Sequence, residues 1–410
     1  MTFSVSTILV GVVLILIQVV AALPWLAAVF MTPRDWQDLK GKAFSGPMLL
    51  RAGAALLVAV ALPVVFGFFV QGREALELCG RVYGAVLQLQ LLADFFVAVF
   101  VLLLAVWPKG GAVALAAFRE GVRQAMFWLL VAAGFFFMLL SPFLPYFTFG
   151  EDYLVVKELG YDAIMLAAVV FGALAASMSI SEEIEGRTAV TLMSKPVSRR
   201  QFLLGKFAGI TLAALVIYGI LGTWFQGVLE YKHWFEKMDP TPAPGWLTAT
   251  LQAWSLPGMA TDFLRGIGLW VGLTLDVAPG LILSFSQVMV LIAVAVSLAT
   301  RVPMVVNLTT VVVLYIVANL APVLVTIGQQ ALAANPGSAV SQLLTFMAQL
   351  FDTVLPDLGS FRLDPALLSD TPMPPVPFLR YLGSVTLYGV LYTGIVLLFG
   401  LVLFEDRDLA

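Results

Sequence analysis

Residues 181–210 read SEEIEGRTAVTLMSKPVSRRQFLLGKFAGI, and they lie between two apolar runs long enough to cross a bilayer. Three acids and five bases are packed into this stretch, with a proline stop and a helix restart. Glu182, Glu183 and Glu185 come first, where the positive end of a helix dipole favours negative charge. Ile184, Thr188 and Leu192 recur every four residues and form one strip. Gly186, Arg187, Thr191 and Lys195 are left for a partner, and Pro196 ends the helix. Ser198-x-x-Gln201 is a capping box that starts the next helix, with Arg199, Arg200 and Lys206 at phosphate level. The expected product is a short, stiff helix on two legs fixed in the membrane.

The rest of the chain sets the solvent. Of 410 residues, 61% are hydrophobic and 11% charged; a soluble domain carries about 25% charged residues. Inside a bilayer every backbone polar group must be satisfied by the chain itself, which leaves helices or closed barrels. The apolar runs are about 20 residues long and lack period-2 alternation, so an all-α polytopic membrane protein is expected. About nine transmembrane helices are read: 5–30, 48–70, 84–106, 126–147, 162–180, 203–228, 279–300, 303–327 and 381–404.

Charge placement orients them. Val5 to Phe30 precedes the first charge, Arg34, and is too long for a signal-peptide core, so it is read as a retained span. Arg34, Lys40, Lys42 and Arg51 follow it and place the N-terminus outside. The short inner segments 31–47, 107–125 and 181–202, with the turn at Arg301, the tail and the bordering Arg51 and Lys206, then hold fourteen of the 22 Lys and Arg. That places the C-terminus in the cytoplasm and the chain in the cytoplasmic membrane. Two longer segments, 229–278 and 328–380, face outward and are rich in Trp and Pro. They are expected to be partly helical at the outer interface. Arg265 and Asp276 argue against a further span within 261–279.

The chain divides into a three-span extension, 1–107, and a six-span part, 108–410. The latter opens on a stretch, 111–125, with Leu115, Phe118, Val122 and Met126 at helical spacing and Arg119, Glu120, Arg123 and Gln124 opposite. An interfacial helix is expected there.

Several chemistries are excluded. One cysteine, Cys79, allows no internal disulfide, and one histidine, His233, leaves no His/Cys metal cluster. No Walker phosphate loop is present, since Gly205-Lys206 runs into Phe207. No metal site, cofactor or nucleic-acid partner is expected. Asp94 sits mid-span with Gln90 one turn away. An intramembrane acid is costly, and a structural polar contact between the extra spans and the main bundle is the favoured reading over an ion site. The small residues Gly172, Ala173, Ala175, Ala176, Ser177 and Ser179 form either a dimer seam or an internal packing face.

The order E-E-x-E-G-R-T-x-x-x-L-x-x-K-P-V-S-R-R-x-x-x-L-G-K resembles the coupling segment of type-2 ABC export permeases. The layout of 108–410 is similar too, with A-x-R-E-G-x-R at Ala117–Arg123, L-P-D-L-G-S-F from Leu355 and F-E-D-R-D-L from Phe404. The chain looks most like the subgroup associated with multicopper-enzyme maturation. The resemblance implies that Glu182, Glu183, Glu185, Gly186, Arg187 and Thr188 form a docking helix. Lys195, Pro196, Ser198, Arg199 and Arg200 would transmit the stroke, with Arg119, Glu120 and Arg123 at the elbow. None would be catalytic. A separate cytoplasmic ABC ATPase subunit would bind ATP and Mg, and a second permease chain, identical or related, would complete the pathway. A secondary transporter and a non-transporting anchor for a cytoplasmic ATPase complex are the competing readings.

Reversing the charges of the docking helix tests the assignment. The double variant Glu183→Lys, Arg187→Glu is expected to release the ATPase in a pull-down while the spans stay folded. Co-purification at wild-type yield would show that the helix does not dock it.

Overall fold

The computed structural model describes residues 5–32, 35, 46–144, 152–181, 197–236, 244–254, 256–334, 338–362 and 375–405. Its elements are α-helical, with short 3-10 and π turns, and no strand occurs among the described residues. In chain order the α-helices are α1 (Val5–Phe30), α2 (Gly46–Phe69), α3 (Arg73–Val106), α4 (Pro108–Arg123), α5 (Ala125–Leu140) and α6 (Asp152–Ala176). They continue with α7 (Arg199–Phe235), α8 (Gly245–Trp254), α9 (Gly258–Ala299), α10 (Met304–Ala334), α11 (Ala339–Val354) and α12 (Pro375–Glu405). Among the described residues eight helices are long and apolar enough to span a membrane. The segment expected to be the second span falls in α2, whose described stretch Leu57–Phe69 is apolar.

Helices outrun the apolar windows. Hydropathy marks where a helix can contact lipid, whereas the backbone ladder continues onto polar residues. Thus α3 begins at Arg73, ahead of the expected 84. The largest departure is α9, a continuous helix of 42 residues. At 1.5 Å per residue it is about 63 Å long, twice a hydrocarbon core of ~30 Å. Residues 261–279 are its first half and not a separate leg turned back through the membrane.

Two compact units are formed. Residues 1–102 and 238–276 make the first; residues 103–237 and 277–410 make the second. The division falls inside α3 and inside α9.

In the first unit, α3 and the start of α9 run parallel. A Gly80 Cβ would stand 3.0 Å from Gly266 Cα, so the backbones nearly touch. Gln88 Oε1 accepts from Trp270 Nε1 at 2.8 Å and from Thr274 Oγ1 at 3.3 Å. Asp94 serves α1. Pro24 perturbs the ladder of that helix, and the next N–H, of Trp25, donates to Asp94 Oδ1 at 3.1 Å. The contact expected with the main bundle is instead one that ties α1 to α3 within the first unit. Gln90 Oε1 is buried with no hydrogen-bond partner among the described residues.

In the second unit, α6 is the centre. Most of its residues from Ile164 onward are buried, and Gly172 lies against Ile292 of α9. The small-residue face is therefore internal packing. Against α6 and α7 lies α4, which starts three residues and ends two residues earlier than the 111–125 expected, and Gln124 breaks it from α5 with an extended backbone. Its buried face also differs. Leu115, Phe118 and Val122 are half-buried and Met126 exposed, while Gly110, Gly111, Ala114, Ala117 and Gly121 are buried. The reason is α7, which offers Gly205 and Gly209 to that face. A Cβ at Gly205 would come within 2.8 Å of Val113 Cβ, and one at Gly209 within 2.7 Å of Ala117 Cβ. Backbones this close exclude larger residues on either side.

Gly209→Leu is accordingly expected to lower stability by about 1–3 kcal/mol or more, the usual cost of overpacking. Thermal unfolding in detergent measures it. Gly227→Leu on the same helix, where a Cβ meets nothing within 4 Å, is the control and should leave the transition unchanged.

Candidate functional site

Glu182, Glu183, Glu185, Gly186, Arg187, Thr188, Lys195 and Pro196 lie outside the described residues. The two legs of their segment do not, and both are tightly held. The first leg ends in a π turn, Ser177–Ser181, that follows α6. Such turns open the helical ladder and recur at functional sites. Ser177 Oγ donates to Ala173 O at 2.9 Å and accepts from Asn307 Nδ2 at 2.8 Å. Asn307 also donates to Ala295 O at 3.0 Å, so α9 and α10 are drawn to the same point.

The second leg is the start of α7. Ser198 Oγ accepts from Gln201 N at 3.2 Å, and Gln201 Oε1 accepts from Ser198 N at 3.1 Å. The capping box is formed as the sequence predicts.

Lys206, two turns further on, joins the legs. Its side chain is 6% exposed. Nζ donates to Ser179 Oγ at 2.6 Å, and Ser179 Oγ donates to Glu120 Oε2 at 3.1 Å. The ammonium is 3.5 Å from the same carboxylate oxygen and 5.7 Å from the Phe202 ring centroid. A buried cation is tolerated only when paired and hydrogen-bonded, so α4, α6 and α7 are obliged to meet here. Glu120 is half-exposed; Arg119 and Arg123 are exposed.

Arg199 reaches the other way. Its Nη1 donates to Phe404 O at 3.0 Å and Glu405 O at 2.8 Å, with the guanidinium 5.7 Å from the Phe404 ring centroid. Arg301 Nε donates to Leu403 O at 2.8 Å. Two arginines thus cap the last carbonyls of α12, where a helix end carries negative charge. Arg200 meets Glu405 at 3.4 Å, but both are exposed and the pair is weak.

Lys206, Ser179, Asn307 and Arg301 were not foreseen as site residues. Seven residues separate Arg199 and Lys206, which sets both on one face of α7. Nothing in the spacing identifies Glu120, 86 positions before Lys206, as the partner of that lysine. The L-P-D-L-G-S-F stretch is a built turn. Asp357 Oδ1 accepts from Gly359 N at 3.1 Å and Ser360 N at 3.3 Å, and Leu358 and Phe361 are buried. Tyr388 and Tyr381 of α12 bond its backbone at 3.1 and 2.9 Å.

Long apolar helices with a basic, helix-tied point beside a charged segment define a multi-pass membrane protein. Residues 111–409 match the family model described as ABC-2 family transporter protein, and the chain belongs to that family. It is a permease subunit of an ABC transporter, and membership implies an ABC ATPase partner. No curated protein matches the chain.

Removing the cap tests how firmly the second leg is held. Ser198→Ala is expected to cost about 1 kcal/mol. Amide exchange across Arg199–Phe202 should rise about fivefold, as local opening at a helix end becomes easier. Unchanged exchange would show that the leg does not depend on its cap.

Proposed function

We propose that the chain couples ATP hydrolysis by a separate cassette ATPase to export of a substrate across the cytoplasmic membrane, and is not itself catalytic. The N-terminus lies outside and the C-terminus inside, as the Lys and Arg distribution favours. ATP and Mg belong to the ATPase. A second permease chain completes the pathway. Glu182, Glu183, Glu185, Gly186, Arg187 and Thr188 dock on the ATPase, and Lys195, Pro196, Ser198, Arg199 and Arg200 carry its displacement.

The observation that carries this reading is the link from buried Lys206 and Ser179 to Glu120. The segment 182–196 hangs between two legs that share one cation. A push on the segment is therefore delivered to α4, α6 and α7 together. Legs held independently would let one helix move while the others stayed. Arg199 extends the same displacement to the end of α12.

Lys206→Met keeps an unbranched side chain, one atom shorter, and removes its charge. In vesicles holding the permease with its ATPase, the variant is expected to bind the ATPase as the wild type does. ATP turnover by the complex should change by about three- to thirtyfold, the range for mutations that alter coupling between sites. Wild-type binding with wild-type turnover would refute the transmission role. Loss of binding would instead place Lys206 in docking.

A further inference from the structure

Between α1, α2, α3 and the start of α9, all within the first unit, lies an apolar slot of about 300 Å³. Leu14, Leu62, Phe66, Leu76, Tyr83 and Phe263 line it, and its walls are almost wholly hydrocarbon. Phe263 packs edge-on to Phe66 and Tyr83, with ring centroids 6.0 and 5.8 Å away. Of the two hydroxyl residues in the lining, Thr7 and Tyr83, Tyr83 Oη donates to Leu14 O at 2.7 Å. The slot has the volume and polarity of a site for part of an alkyl chain.

Charges stand beside one end of it. Glu77 follows the lining residue Leu76 and Asp262 precedes Phe263 in the chain. Arg73 Nε is 2.9 Å from Glu77 Oε1 and 3.8 Å from Asp262 Oδ1. Arg265 Nε is 3.6 Å from Glu77 Oε1, outside hydrogen-bond reach, and is buried with no acceptor among the described residues. The parallel course of α3 and α9 collects all four at the helix starts. Two bases and two acids at the mouth of a hydrocarbon slot match a headgroup that carries both signs.

We propose that this slot binds one acyl chain of a zwitterionic phospholipid, with the phosphate at Arg73 and Arg265 and the primary ammonium at Glu77 and Asp262. A guanidinium is the best side-chain partner for a phosphate oxygen, and a phosphate supplies the acceptor that Arg265 Nε lacks. An anionic headgroup without an ammonium would compete with Glu77 and Asp262 for Arg73 and offer the two acids no cation in exchange. An uncharged lipid would leave Arg265 Nε without a hydrogen-bond acceptor among the described residues. The site is independent of ATPase coupling and its failure would leave that reading intact.

The test is photolabelling of the full chain in lipid nanodiscs with three probes that carry a diazirine in mid-chain: a phosphatidylethanolamine, a phosphatidylglycerol and a diacylglycerol. The first is expected to label the peptides that contain Leu62–Gly67 and Met259–Phe263. It should exceed the diacylglycerol about tenfold, the discrimination that hydrogen bonds to charged groups provide. Leu62→Trp, at a half-exposed lining position, and Arg73→Gln, at an exposed one, should each cut labelling about fivefold by blocking the slot or removing a phosphate donor. Both sites tolerate change, and size-exclusion profiles check that the variants fold. Equal labelling by phosphatidylethanolamine and diacylglycerol, a preference for phosphatidylglycerol, or indifference to both substitutions would overturn the proposal. So would even labelling along the exposed Leu391 and Leu398 of α12.

Discussion

One buried ammonium organises the second unit. Lys206 has left water, and its charge can be kept only where Ser179 and Glu120 supply oxygen atoms. Those two residues belong to different helices, so the cation prescribes a three-helix junction. Ser179 has the right chemistry for the middle position, because a hydroxyl can accept from lysine and donate to a carboxylate at once. The junction also needs closeness. Gly205 and Gly209 let α7 approach the small-residue face of α4, and without that approach Glu120 would fall short of Lys206.

Arginine does parallel work at the end of the chain. Carbonyls that terminate a helix have no partner in their own ladder. In α12 three of them are taken by Arg199 and Arg301, from two separate points of the sequence. The start of α7 is therefore bound both to its neighbours through Lys206 and to the last helix through Arg199. A short piece of chain, 198–206, thus concentrates contacts to α4, α6 and α12.

The first unit is governed by another economy. Its polar side chains are spent on backbone and neighbouring groups: Asp94 on the N–H beside Pro24, Gln88 on Trp270 and Thr274, Tyr83 on Leu14. Each is worth little alone, yet each fixes rotation of one helix against the next, which apolar packing in lipid does not do by itself. The structural reading of Asp94 follows from this, as does the reassignment of its contact from the main bundle to α1.

The helical class, the presence and order of the spans, the capping box at Ser198 and the amphipathic start of the second part were legible in the sequence. These are local: hydropathy over about 20 residues and spacing over a turn or two decide them. The residues beneath the charged segment were legible only as types. Lys206 reads as an interfacial lysine and Ser179 as one more small residue, because a buried cation and its partners, 27 and 86 positions away, share no local pattern. The same holds for α4, where period alone selects Leu115, Phe118 and Val122 as the packed face. Glycines on α7 select the opposite outcome, since the gain from close backbone approach depends on the partner helix. Burial in a membrane protein is a property of pairs of helices, and a linear pattern describes only one of each pair.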